Sequence, residues 1–335
     1  VIMPRLNLAT RLGLWALVFL SLAASAPTPR RKPAPDPEQI AIETTLIREA
    51  GIAAQFLAPL AFRGCLQMRA GDDRFGGVSG LAVEGKERVI AITDRAHWLR
   101  FRLLWGADGF LAGVADAEIA ALRDERGVAL QSRRLTDSEG LARLGDGSYA
   151  VSFEQRHLLR LYAGPDPLRA AGMVIAELDQ TAAIEDNGGL EALATAPDGG
   201  LLAGQERGAA PSLWRLPAPM SPAPKTPPKL EQATALRRSF GYALTGLDEL
   251  NDGGFVALYR FFAPGLGARA ELRFWPPGDF WGERLALLNP PFPVDNFEAI
   301  AAIETAEETL ILITSDDNFS ASQRTLLCAF VWTRR

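Results

Sequence analysis

One hairpin pattern occurs five times along the chain, and a repeat constrains a fold more tightly than composition does. The copies are VSGLAVEGKERVIAITDR from Val78, SEGLARLGDGSYAVSFEQR from Ser138, LEALATAPDGGLLAGQER from Leu190, LTGLDELNDGGFVALYRF from Leu244 and FEAIAAIETAEETLILITSDDN from Phe297. Each is a short apolar strand, a turn and a second apolar strand. The turns at Asp146, Asp198 and Asp252 read DGS, DGG and DGG, which supply the residues that tolerate the left-handed backbone of a tight hairpin.

Anchored on Ser79, Glu139, Glu191, Thr245 and Glu298, the copies lie 60, 52, 54 and 53 residues apart. Weaker strands fill the intervals: HLLRLYAG and AGMVIAEL after the second copy, PSLWRLPA and LEQATALRR after the third, AELRFWPP and RLALLNPP after the fourth. Such a period, with four strands per unit, predicts an all-β chain folded as a β-propeller of five four-stranded blades. A sixth blade stays open because the first interval is the longest and residues 99–137 have room for one. Asp116–Arg126 and Pro37–Gly51 are the two helical candidates.

The fifth copy is followed only by RTLLCAFVWTRR, a third strand. Its fourth must come from elsewhere, and LAFRGCLQMRA (Leu60–Ala70) is the donor at hand. A ring closed by an N-terminal strand in the last blade leaves no unpaired join. That closure sets Cys65 and Cys328, the two cysteines of the chain, on adjacent strands and predicts a disulfide between them. The alternative is two buried thiols out of register.

The 335 residues are 48% hydrophobic and 22% charged, an ordinary globular balance. The net charge of −5 comes without a clustered basic field, which excludes a nucleic-acid surface. Arg5 and Arg11 precede an apolar run, Leu12–Ala26, that ends on small residues. Residues 1–26 therefore read as a signal peptide or N-terminal anchor, 27–39 as a Pro-rich linker and 40–335 as the propeller domain. The expected location is periplasmic or secreted; the alternative is membrane anchoring through residues 12–26, a run shorter than the roughly 20 residues of a full span.

In a propeller the innermost strands surround a central funnel, so charges in register with the repeat converge. Glu139, Glu191 and Glu298 are anchors; Asp94, Glu154, Glu206 and Arg260 follow the first four anchors by 15 residues, and Asp316 follows the fifth by 18. Arg95, Arg156 and Arg207 come directly or soon after. Two readings compete. In one, carboxylates and Asn carbonyls hold a hard divalent cation such as Ca²⁺, with arginines for an anionic substrate. In the other, Glu–Arg pairs between neighbouring blades only fix the packing. Three buried like charges ask for more than pairing. His97 and His157 read as surface turn residues, and two histidines with two cysteines are a poor zinc set. The sequence has no GxSxG, HExxH, Walker A or CxxC motif. The tryptophans read as blade packing.

The runs DSEGLARL…SFEQR, NGGLEALA…GQER, LTGLDEL…LYRF and DNFEAIAAI…LITSDDNFSASQRTLL resemble the bacterial phytase-like domain family, also described as "esterase-like activity of phytase". The resemblance spans roughly Phe62 to Trp332, and its last motif is the most specific. Ser79 and Thr245 depart from the carboxylate pattern. The resemblance implies Glu139, Glu191, Asn296, Glu298, Asp316, Asp317, Asn318 and Gln323 as motif positions, and ester or phosphoester hydrolysis as the activity. The combined expectation is a metal-assisted esterase or phosphoesterase acting on a small anionic ester. Glu139, Glu191, Asn296, Glu298, Asp316, Asp317 and Asn318 are the candidate cation ligands. Glu139, Glu191, Glu298, Arg156 and Arg207 are the candidate catalytic groups, the two arginines neutralising the leaving charge. The rivals are a non-catalytic envelope binding propeller and a lactonase-type hydrolase.

Overall fold

The computed structural model describes residues 32–334 apart from 49, 51–56, 86, 179–187, 207–211, 219–225 and 280. The apolar run Leu12–Ala26 lies outside these residues. Three strands lead the chain: β1 (Glu38–Gln39), β2 (Ile42–Leu46) and β3 (Leu60–Ala70). Blade one follows as β4 (Val78–Glu84), β5 (Arg88–Thr93), β6 (His97–Trp105) and β7 (Leu111–Ala121). A single-turn helix α1 (Arg133–Thr136) leads to blade two, β8 (Ser138–Arg143), β9 (Tyr149–Phe153), β10 (Leu158–Tyr162) and β11 (Gly172–Glu177). Blade three is β12 (Leu190–Thr195), β13 (Leu201–Gln205), β14 (Ser212–Leu216) and β15 (Glu231–Ala235). Blade four is β16 (Ala243–Glu249), β17 (Phe255–Ala263), β18 (Gly267–Trp275) and β19 (Glu283–Leu288). Blade five is β20 (Asn296–Glu304), β21 (Thr309–Asp316) and β22 (Thr325–Trp332), completed by β3. The fold is thus a five-bladed propeller, and residues 99–137 hold the outer strands of blade one rather than a sixth blade.

The ring closes as the strand count requires. β3 pairs antiparallel with β22, Cys328 opposite Cys65, and the two cysteines are disulfide-bonded with Cα atoms 4.0 Å apart. Blades one and five each carry a fifth strand, which the sequence reading lacks. β1 pairs with β7, and β2 with β3. Both cover an edge that would otherwise offer free backbone groups. The helical candidate Pro37–Gly51 is therefore corrected to strand over Glu38–Gln39 and Ile42–Leu46, with helix kept only at its end, at Arg48 and Ala50, and the end of the Pro-rich segment is pinned to blade one. Asp116–Arg126 is corrected too. Its first half belongs to β7, where Asp116 (φ 55°) marks a bulge, and the charges that suggested a helix face pair across the strands as Arg100–Glu118 and Arg102–Asp116.

Each blade is buried on both faces, so its inner strands read as continuous apolar runs. All eight residues of β22 are buried. The core is divided among the seams: one cluster joins blades one and two through Trp98, Tyr149 and Tyr162, and another joins blades four and five through Leu258, Phe297 and Phe330. Trp98 and Trp332 are buried in these clusters and Trp275 in another, between blades three and four, whereas Trp281 is exposed under Arg237.

Around the axis the inner strands approach closely because the residue after each anchor is Gly80, Gly140, Ala192, Gly246 or Ala299. A Cβ on Gly140 would lie 2.7 Å from the Glu191 carbonyl oxygen and 2.7 Å from the Leu193 Cβ. The space between Gly80, Gly140, Thr245 and Gly246 is about 10 Å³, room for one water at most, so the funnel has a floor. Gly140→Ala is expected to lower stability by about 1–3 kcal/mol through overpacking. A denaturant midpoint equal to wild type would show that the strands can part there.

Candidate functional site

The five anchors share one backbone device. Pairing between the first two strands of every blade shifts register across the anchor: Val78 to Gly80, Ser138 to Leu141, Leu190 to Ala192, Leu244 to Gly246 and Phe297 to Ala299. A β-bulge turns one side chain out of the alternation that would send it into a seam. All five anchor residues are buried. In blades one and four the side chain is a clamp. Ser79 Oγ donates to the Ser138 carbonyl at 2.6 Å, and Thr245 Oγ1 donates to the Phe297 carbonyl at 3.2 Å, each in the next blade. Those two departures from carboxylate are hydrogen-bonded links between blades. In blades two, three and five the same position carries Glu139, Glu191 and Glu298.

The residues at the far end of each second strand meet these anchors. Arg260 ties three blades: its guanidinium contacts Glu206 Oε1 at 2.7 Å and Glu298 Oε1 at 2.6 Å, and it donates to Asn296 Oδ1. Asn296 Nδ2 donates to the same Glu298 oxygen at 2.7 Å. Here the ion-pair reading holds. Glu139 is different. It is buried, and the charges acting on it most strongly are the carboxyls of Glu191, Glu298, Asp137 and Glu154. Asp137, Glu139 and Glu154 each bring an oxygen within 4.8 Å of the others.

Burial is the first cause of the upward shifts of Glu139, Glu191, Glu298, Asp316 and Asp94, and like charge adds to it. Glu139 and Glu191 are raised well above the usual carboxylate range. Glu298 is raised too, against the opposing pull of Arg260 and Asn296. Asp316 is pushed up to about 9, with Glu298 and Asp94 adding to its burial. Asp94 is pushed up to about 7 by burial, opposed by Arg95. Asp94 Oδ1 is buried without a hydrogen-bond partner among the described residues.

Other candidate residues go elsewhere. Asp317 accepts from Gly77 N, Phe319 N and Thr325 Oγ1 at 2.9, 3.0 and 3.0 Å, so its carboxylate closes a loop and latches it to blade one. Asn318 is exposed in a left-handed turn (φ 48°), its N–H donating to Asp316 Oδ1 at 2.6 Å. Turn chemistry therefore accounts for both. Arg156 is exposed in the turn after β9. Arg207 lies outside the described residues. His97 and His157, expected at the surface, are half-buried. Gln323 lines a cleft beside Arg260.

Sequence reasoning missed Asp137. A signal existed, since Asp137 precedes Glu139 by two residues as Asn296 precedes Glu298. The acidic trio of the described residues consequently stands in blade two, although the motifs draw attention to blade five.

A model of the family described as phytase-like, esterase-like activity of phytase, matches residues 73–319. No curated protein matches the chain. Among solved structures, one described as a putative gluconolactonase is 14% identical at a TM-score of 0.46, covering 95% of this chain and 97% of that one. The Malassezia sympodialis allergen Mala s 1 is 12% identical at 0.44, covering 88% and 96%. A Xanthomonas campestris gluconolactonase is 14% identical at 0.40, covering 92% and 99%.

Proposed function

The chain belongs to the phytase-like family, and from that premise we propose that it is a hydrolase of small anionic esters or phosphoesters whose funnel holds a divalent cation. The observation that carries this reading is Glu139, a buried acid whose strongest electrostatic neighbours are four other carboxyls. Such a group needs either a proton or a cation, and the oxygens of Asp137 and Glu154 beside it form a hard donor set suited to Ca²⁺ rather than zinc. Asp137, Glu139 and Glu154 would hold the ion, with Glu191 as a further ligand. When bound, it supplies charge that polarises a carbonyl or phosphoryl oxygen.

The chain's own groups do the rest. Arg260, fixed by Glu206 and Glu298, presents positive charge at the funnel rim, the role assigned by sequence to Arg156 and Arg207. Asp316 and Asp94, pushed up to about 9 and about 7, hold protons that a leaving alkoxide can accept. The floor below the anchors keeps substrate at the mouth. The Cys65–Cys328 bond supports export to an oxidising compartment, with residues 1–26 as signal or anchor. Arg260 bridging Glu206 and Glu298 also favours a second reading, a binding propeller without turnover, in which the carboxylates only lock the blades.

The test is metal analysis of the purified protein with a panel of phosphoesters, aryl esters and lactones, with and without chelator. Turnover is expected to disappear on chelation and return with Ca²⁺. Glu139→Gln is expected to lower cation affinity by roughly a hundredfold. Affinity for Ca²⁺ should rise with pH, because the ion displaces protons from carboxyls whose pKa values are raised. Absence of both bound metal and turnover would sink the hydrolase reading.

A further inference from the structure

Blade four departs from its neighbours on the funnel side. β17 and β18 continue pairing out to Ala263 opposite Gly267, whereas the inner strand stops at Ala243 opposite Arg260 and the outer strand stops at Leu288 opposite Ala270. A two-stranded hairpin, residues 261–269, therefore extends on the funnel side beyond the ends of its flanking strands, unpaired among the described residues. Two of its large apolar residues face solvent: Phe262 is 70% exposed and Leu266 57%. Phe240, in the segment entering β16 from the same side, is fully exposed. Isolated exposed apolar residues are common, but Phe262 is not isolated, because it lines a cleft.

This cleft, of about 980 Å³, lies between blades four and five and is at the upper end of small-molecule sites. One wall carries Phe261 and Phe262, and the other carries Val294 with Gln323. Arg260 and Glu206 close its inner end, so the cleft runs directly into the funnel. Phe261 is fixed, its ring packed on Tyr242 at 5.3 Å between centroids and lying under Arg269. Phe262 is left as the adaptable face.

We infer that this cleft is the subsite for the apolar arm of the substrate. The anionic ester group sits at Arg260, and an aryl or long acyl substituent lies along Phe261 and Phe262. The inference rests on the proposed ester-binding funnel and narrows its substrate class to amphipathic esters. Continuity fixes the occupant: a ligand whose charged end meets Arg260 must send its remainder past the aromatic wall.

Calorimetric titration with 1-naphthyl phosphate and methyl phosphate, in the presence of Ca²⁺, tests this without requiring turnover. The naphthyl probe is expected to bind roughly tenfold more tightly, the increment of a well-placed aromatic contact. Phe262→Ser should bring the ratio close to one and leave methyl phosphate affinity and the unfolding midpoint unchanged. Equal binding of both probes to the wild type, or a ratio that survives Phe262→Ser, overturns the assignment. So does loss of sedimentation with phosphatidylglycerol vesicles in the variant while the probe ratio stays the same, which would make the hairpin a lipid contact. If discrimination holds but neither probe is hydrolysed, the cleft stands and the hydrolase reading falls.

Discussion

Arg260→Met is expected to destabilise the metal-free protein by about 3–5 kcal/mol, the usual consequence of removing one partner of a buried ionic network. The guanidinium lies between Glu206 in blade three and Glu298 in blade five, and both acids are buried. Without it Glu298 must either stay charged beside Glu206 with no cation between them or take up a proton. Glu298, already raised by burial, then loses the opposing pull of Arg260, so its folded-state pKa moves further above the unfolded one. Stability of the variant is therefore retained at low pH and lost as pH rises through the raised value. The deficit should be smallest in acid and largest in mild alkali. A cation changes the outcome. If the funnel binds Ca²⁺, saturating Ca²⁺ should recover part of the lost stability, because bound metal stabilises the native state by mass action. Urea unfolding of wild type and variant at two pH values, with and without Ca²⁺, separates the readings. A deficit unchanged by Ca²⁺ would mean that Arg260 and its partners are purely structural.

Most of the ring was legible because a propeller repeats its demands. Every blade needs an apolar inner hairpin with a tight turn, so DGS and DGG recur at Asp146, Asp198 and Asp252. The strand that closes the ring was legible by subtraction, since the fifth copy had only three strands of its own. β1 and β2 were not, because a covering edge strand pairs through its backbone and needs no apolar pattern. Most of their residues are exposed. The site was half legible. Charges in phase with the repeat pointed to Glu139, Glu191 and Glu298, yet spacing does not reveal which acids a neighbouring blade neutralises. Arg260 looked like one member of a set of arginines, but its reach across three blades depends on bulges at the anchors. Asp317 and Asn318 matched a motif whose residues serve a loop as well as a funnel. Composition cannot separate those uses, because Asp and Asn are also the residues that build turns.

Removing the disulfide should have an effect of similar size, at a place remote from the funnel. Cys65 and Cys328 are 263 residues apart, so their bond closes a loop that contains nearly the whole propeller. In the chain-entropy account a loop this long stabilises the native state by about 5 kcal/mol at most. The ring also closes through the β3–β22 ladder, which runs from Met68 opposite Thr325 to Leu60 opposite Trp332. A Cys65→Ala, Cys328→Ala double variant is therefore expected to fold and to keep five blades, but with a lowered urea midpoint and an unchanged fold by circular dichroism. Its weakest point should be the β3–β22 ladder of blade five, where the strands farthest apart in sequence among the described residues must find each other. Hydrogen exchange should accelerate there more than in blades two to four. Both sulfurs are fully buried, so dithiothreitol should leave the bond intact in native buffer and cleave it only once mild denaturant opens blade five. Alkylation followed by mass measurement reads this directly. If the double variant unfolds at the wild-type midpoint, the backbone ladder alone holds the ring. If it exchanges faster uniformly, the five blades unfold as one cooperative unit rather than from that ladder.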